Sequence, residues 1–153
     1  MRRRGIDGAA LRSQVVPTAR ILIVEDDEAT AELIGEELVR RGAEIRCAAT
    51  GRDALVAASE LHPVLALIDL RLPDMSGIDV GRRLHDSAGD ERIVLAAFTG
   101  WLRTSDIDEA LAAGFDYFLV KPVSFAAIHA LVEASSGDPR VSGVMLRRLI
   151  KQV

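Results

Sequence analysis

Four apolar runs in this chain each stop at a residue able to do chemistry. Val64-Leu65-Ala66-Leu67-Ile68 ends on Asp69, and the turn-forming stretch Leu70-Arg71-Leu72-Pro73-Asp74-Met75-Ser76-Gly77 follows. Ile21-Leu22-Ile23-Val24 ends on Glu25-Asp26-Asp27-Glu28, Ile93 to Phe98 on Thr99-Gly100, and Tyr117-Phe118-Leu119-Val120 on Lys121-Pro122. Taken alone, Asp69 reads better as a helix cap or a turn residue than as a reactive group. Together the four endings matter, because ligands of parallel α/β sheets bind beyond the carboxyl ends of the strands. Glu25, Asp26 and Asp69 gathered there would repel one another by on the order of 4 kcal/mol per pair at ~4 Å and an effective dielectric near 20. A cation relieves that cost. Hard oxygen donors without His or Cys favour Mg²⁺. Lys121 is one of only two lysines against seventeen arginines, which suggests that a compact point charge is wanted at that strand end. A hydroxyl, an ammonium and a divalent cation converging on one carboxylate make an oxyanion-stabilising pocket of the kind phosphoryl transfer needs.

The elements that must hold these groups can be read along the chain. Uninterrupted apolar runs fit strands covered on both faces, as in a parallel sheet. A helix is expected from Ala29 to Arg41, with Ala31, Leu33, Ile34, Leu38 and Val39 at helical spacing and Gly42 as its stop. Ala43 to Ala48 reads as a short strand, with Cys47 as a small core residue. Thr50 with Asp53 resembles a capping box opening a helix to Leu61. Ile78 to His85 forms a further helix. Thr104-Ser105-Asp106 caps another that Gly114 stops, and Ser124 caps the last, to about Ala134. Five strand–helix units with short connections predict an α/β fold, a doubly wound parallel sheet with helices on both faces.

The bulk composition agrees. At 153 residues and 49% hydrophobic content the chain suits one globular domain, with no run long enough for a transmembrane helix and no secretory signal after the basic start. The single cysteine allows neither an internal disulfide nor a metal motif. His62, His85 and His129 fall on helices or their ends, away from the strand ends. Residues 21–134 carry 10 basic and 21 acidic side chains, a net of −11, whereas residues 1–20 carry +4 and 135–153 carry +3. An acidic body suits a cation-binding domain rather than a nucleic-acid reader.

The segments Ile21-Leu-Ile-Val-Glu-Asp-Asp, Ala66-Leu-Ile-Asp-Leu-Arg-Leu-Pro-Asp-Met-Ser-Gly, Phe98-Thr-Gly and Phe118-Leu-Val-Lys-Pro resemble the response-regulator receiver domain of two-component signalling, the CheY-like family. The resemblance covers roughly residues 19–134. It implies a flavodoxin-like (βα)5 fold with strand order 2-1-3-4-5. It makes Asp69 the acceptor of a phosphoryl group from a phosphohistidine donor, a sensor histidine kinase or histidine phosphotransfer protein. Asp26 would bind Mg²⁺ directly and Glu25 through water, with Asp69 and the backbone carbonyl of Arg71 as further ligands. Thr99 would hydrogen-bond a phosphoryl oxygen, Lys121 would pair with it, and Lys121-Pro122 would be a cis peptide. Thr99 and Phe118 occupy the family's switch positions, with Phe118 where Tyr is more frequent; an ordinary strand aromatic is the equal alternative. Tyr117 alternates to the other face and reads as structural. Trp101 either flanks the site mouth or is a lone exposed aromatic. Output to a downstream protein would use the surface between Thr104 and Ala134.

Three parts are expected: an extension at 1–20, a receiver domain at 21–134, and a linker with a short amphipathic helix at 135–153. In the last, Val141, Val144, Met145, Leu149 and Ile150 make one apolar stripe that packs on its own domain or pairs two chains as a homodimer. Nineteen residues are too few for a helix-turn-helix, so no direct DNA binding is expected. The chain reads as cytoplasmic and as a phosphoacceptor with autocatalytic phosphorylation and dephosphorylation, not as an enzyme of outside metabolites. Two rivals stand beside this reading. A phosphorylation-independent interaction module (a pseudo-receiver) would leave the acidic, Thr and Lys positions without a purpose. A Mg²⁺-dependent phosphohydrolase of the haloacid-dehalogenase type would want Asp-x-Asp where this chain has Asp69-Leu-Arg.

Overall fold

The computed structural model describes residues 18–136. Within them the chain alternates strictly: β1 (Arg20–Val24), α1 (Glu28–Arg40), β2 (Glu44–Ala48), α2 (Gly51–Leu61), β3 (Leu65–Ile68), α3 (Gly77–Ser87), β4 (Val94–Thr99), α4 (Thr104–Ala113), β5 (Tyr117–Val120) and α5 (Phe125–Ser136). All strand pairs are parallel, in the order β2-β1-β3-β4-β5. This is the expected doubly wound fold. The expected amphipathic helix at 141–150 and most of the N-terminal extension lie outside the described residues.

Alternation along each strand splits the core in two. Leu22, Val24, Ala66, Ile68, Leu95, Ala97 and Phe118 face α2, α3 and α4. Ile21, Ile23, Leu65, Leu67, Ala96, Phe98, Tyr117 and Leu119 face α1 and α5. Because β1, β3 and β4 are inner strands, nearly every one of their residues is buried, which is why they read as unbroken apolar runs.

Two local expectations need correction. Cys47 is exposed rather than a core residue. β2 is one of the two edge strands, and of its five residues only Ala48 is buried. The cap of α4 is one residue earlier than expected. Arg103 is the N-cap, Thr104 is already helical, and the Asp106 carboxylate accepts from the Arg103 amide at 3.1 Å. Thr50 Oγ1 accepts from the Asp53 amide at 3.1 Å, the first half of the expected capping box, and Ser124 Oγ accepts from the Ala127 amide at 3.2 Å. Gly114 ends α4 at φ +104, and a Cβ there would strike the His85 ring.

No described helix is long and apolar enough to cross a membrane.

Candidate functional site

Asp69 stands one residue beyond β3, its amide donating to the Val24 carbonyl at 2.9 Å, so the β1–β3 ladder continues up to the carboxylate itself. Glu25 leaves β1 at the same level; its amide donates to the Ala48 carbonyl at 3.0 Å. Thr99 is the last residue of β4, and its carbonyl accepts from the Lys121 amide at 2.9 Å. Backbone pairing of parallel strands therefore brings all these side chains to one edge of the sheet.

Their geometry is tight. Carboxylate oxygens of Glu25, Asp26 and Asp69 lie within 4.8 Å of one another. Glu25, Asp69 and Thr99 are buried, whereas Asp26 is exposed. The Lys121 ammonium donates to Glu25 Oε2 at 2.6 Å and to Asp69 Oδ2 at 2.9 Å, offsetting much of the repulsion between those two carboxylates. Glu25 Oε1 accepts from the Asp27 amide and Asp69 Oδ1 from the Arg71 amide, each at 3.0 Å. Burial pushes the Glu25 carboxyl above its ordinary pKa; the Lys121 and Asp27 hydrogen bonds oppose this without cancelling it. For Lys121, burial acts downward, but the hydrogen bonds to the two carboxylates outweigh it and hold the ammonium above its ordinary value.

The loop after Asp69 is fastened at several points. Arg71 and Ser76 form an antiparallel bridge, and the Gly77 amide donates to the Leu70 carbonyl at 2.9 Å. Ser76 Oγ caps α3 by accepting from the Ile78 amide at 3.2 Å. Asp74 reaches across to α2, where its carboxylate accepts from the amides of Gly51 and Arg52 at 2.8 and 3.0 Å. Those two N–H groups are orphans of the first helical turn. Their bonds hold the Asp74 carboxyl below its ordinary pKa. A depressed folded-state pKa contributes stability that is present above the unfolded carboxylate value and lost as pH falls through the folded one. Asp74→Ala is accordingly expected to melt below the parent at neutral pH. The two melting curves should converge in acid, as checked by thermal unfolding across a pH series.

The sequence-derived candidates are thus brought together, with distinctions among them. Glu25, Asp26, Asp69 and Lys121 form one cluster, and Thr99 sits at the adjoining strand end. Arg71 donates its backbone amide to Asp69 Oδ1 at 3.0 Å. Lys121-Pro122 is cis. Phe118 is buried against the α2–α4 side of the sheet, and Tyr117 against the other. Trp101 is 61% exposed on the loop after β4. His62 caps α2, His85 lies under Gly114, and His129 bonds Glu37 at 3.0 Å, all outside the cluster. Two residues at or beside the site were missed. Asp74 and Phe98, whose ring lies beneath the Lys121 ammonium, stand in the motif segments but carry no individual role in the sequence reading. No local sequence signal marks either, since both contacts span separate elements.

Chemically, the cluster offers a buried carboxylate nucleophile, oxygen donors for a hard cation, and an ammonium and a hydroxyl for a developing oxyanion. The donor set fits Mg²⁺: the clustered groups are all carboxylates, with neither His nor Cys.

Comparison with known proteins agrees. Residues 21–133 match the family model described as the response regulator receiver domain. Over 115 residues the chain is 38% identical to the DNA-binding response regulator MtrA of Mycolicibacterium paratuberculosis, covering 75% of this chain and 50% of that protein. Over 130 residues it is 33% identical to the phosphate regulon transcriptional regulatory protein PhoB of Rhizobium meliloti, covering 84% and 57%. The chain thus spans about half the length of the curated relatives it matches. Among solved structures, a CheY-like response regulator receiver domain protein from Methanospirillum hungatei superposes with a TM-score of 0.70 at 29% identity, covering 77% of this chain and 96% of that one.

Proposed function

The chain belongs to the response regulator receiver domain family, and on that premise we propose that residues 21–134 accept a phosphoryl group on Asp69 and signal by a change of conformation. The observation that carries the reading is Lys121, whose ammonium joins Glu25 at 2.6 Å to Asp69 at 2.9 Å beside the exposed Asp26.

Glu25, Asp26, Asp69 and the Arg71 carbonyl would hold Mg²⁺, which when bound supplies positive charge to neutralise the transferring group. The chain's own residues do the rest. An Asp69 carboxylate oxygen forms a bond to phosphorus as the P–N bond of a phosphohistidine donor breaks, and the departing imidazole keeps the electron pair. The Lys121 ammonium pairs with one phosphoryl oxygen, and the Thr99 hydroxyl donates to another. Attack by water on the same phosphorus later returns the carboxylate and releases inorganic phosphate. Movement of Thr99 toward the phosphoryl group, with Phe118 repacking behind it, would shift the balance between two conformations. The donor is a histidine kinase or a histidine phosphotransfer protein, and the receptor of the signal a downstream protein docking on α4 and α5. Residues 1–20 and 135–153 flank this unit, and the apolar residues of the latter suit self-packing or a homodimer. The unit works in the cytoplasm, does not itself contact DNA, and turns over no outside metabolite.

The test is intact mass after incubation with acetyl phosphate. With Mg²⁺ the protein should gain one phosphoryl group, and with chelator none. No gain with Mg²⁺, together with no binding of beryllofluoride, would overturn the reading.

A further inference from the structure

We propose that Phe98 is a positioning residue for Lys121, its aromatic face holding the ammonium at the sheet edge while the carboxylate partners of that ammonium are exchanged. This deepens the receiver reading and rests on it.

The Lys121 Nζ lies 4.9 Å from the centroid of the Phe98 ring, over its face. The ring is 1% exposed and the lysine side chain 25%. An aromatic face carries negative electrostatic potential, and its attraction for an ammonium grows as water is excluded. The contact is fixed by the sheet: Phe98 pairs with Leu119 and Thr99 with Val120 in the β4–β5 register, so Lys121 emerges just beyond Phe98 on the neighbouring strand.

The ammonium's other two contacts are both contestable. Glu25 Oε2 and Asp69 Oδ2 belong to the group of oxygens that suits a divalent cation, and Asp69 loses a negative charge when it becomes an acyl phosphate. A lysine held only by those carboxylates would be freed to swing into solvent when they are engaged, and four rotatable bonds would make that swing entropically favourable. The ring competes for no oxygen ligand and is unchanged by phosphorylation. It keeps the ammonium where a phosphoryl oxygen on Asp69 will need it.

Phe98 also packs in the core facing α1 and α5, so truncation to alanine would confound positioning with folding. The test therefore keeps the ring and changes its electrons, by site-specific incorporation of mono-, di- and trifluorophenylalanine at position 98, beside Phe98→Leu and Phe98→Tyr. Thermal unfolding confirms that each variant is folded. The first readout needs no ligand: the ε-methylene protons of Lys121 should resonate upfield of those of Lys151, the only other lysine, and lose that shift in Phe98→Leu. The second is affinity for beryllofluoride with Mg²⁺. It should fall stepwise with fluorination, by about three- to ten-fold in total, match that of Phe98→Leu at the end of the series, and be retained in Phe98→Tyr. Unshifted Lys121 protons, or an affinity independent of fluorine number in folded variants, would overturn the inference while leaving the receiver reading intact. Failure of the parent protein to bind beryllofluoride, together with no phosphoryl gain from acetyl phosphate, would overturn the reading and the inference with it.

Discussion

Asp69→Asn is expected to reduce phosphoryl uptake from acetyl phosphate by more than about a thousand-fold, because an amide is not a nucleophile at phosphorus. The fold should survive. An asparagine can still accept from the Arg71 amide, which now bonds Asp69 Oδ1 at 3.0 Å, and Lys121 keeps Glu25 at 2.6 Å. Two electrostatic changes oppose each other: the Lys121–Asp69 attraction is lost, and so is the repulsion between Asp69 and its acidic neighbours. Intact mass of variant and parent side by side measures the first effect, and their melting temperatures the second. Uptake by the variant at the parent's rate would move the acceptor to another carboxylate.

The second large effect is one of fold rather than charge. Gly77 opens α3 directly beneath the acceptor loop. A Cβ there would overlap the Asp69 carbonyl oxygen and come within 2.7 Å of Leu70 Cα and 2.8 Å of the Asp69 carbonyl carbon. These are backbone atoms of the loop that carries the acceptor, so relief requires moving the site itself. Gly77→Ala should cost about 3 kcal/mol or more, lowering the melting temperature by roughly 10 °C and slowing phosphorylation in the fraction that folds. Gly100 serves as the control. A Cβ there meets nothing within 4 Å and its φ is not left-handed, so Gly100→Ala should stay within about 0.5 kcal/mol of the parent. Denaturant unfolding of both variants separates the cases. Equal stability of Gly77→Ala and parent would mean that α3 does not pin the acceptor loop.

Which parts of this arrangement were legible in the sequence follows from how each is encoded. Strands covered on both faces announce themselves as apolar runs, and parallel pairing sends their ends to one edge. Glu25, Asp26, Asp69, Thr99 and Lys121 could therefore be placed together without coordinates. Alternation likewise put Tyr117 and Phe118 on opposite faces. How well an edge strand is covered has no local code: β2 and β5 both border the sheet, yet β5 is mostly buried while Cys47 in β2 is exposed where Ile23, its register partner, is buried. The α4 cap slipped by one because Arg103 takes the extended backbone that Thr104 was expected to take, while Asp106 supplies the accepting oxygen. Contacts between distant segments were the least legible. Asp74 caps a helix 23 residues earlier in the chain, and Phe98 meets Lys121 only through the β4–β5 register.

Borohydride reduction followed by peptide mapping tests the central claim most directly, since it converts an aspartyl acyl phosphate to homoserine and marks the residue that carried it. After incubation with acetyl phosphate and Mg²⁺, homoserine should occur at position 69 and nowhere else, and vanish when chelator is present. Homoserine at Asp26 or at any other aspartate, with Asp69 intact, would contradict the account.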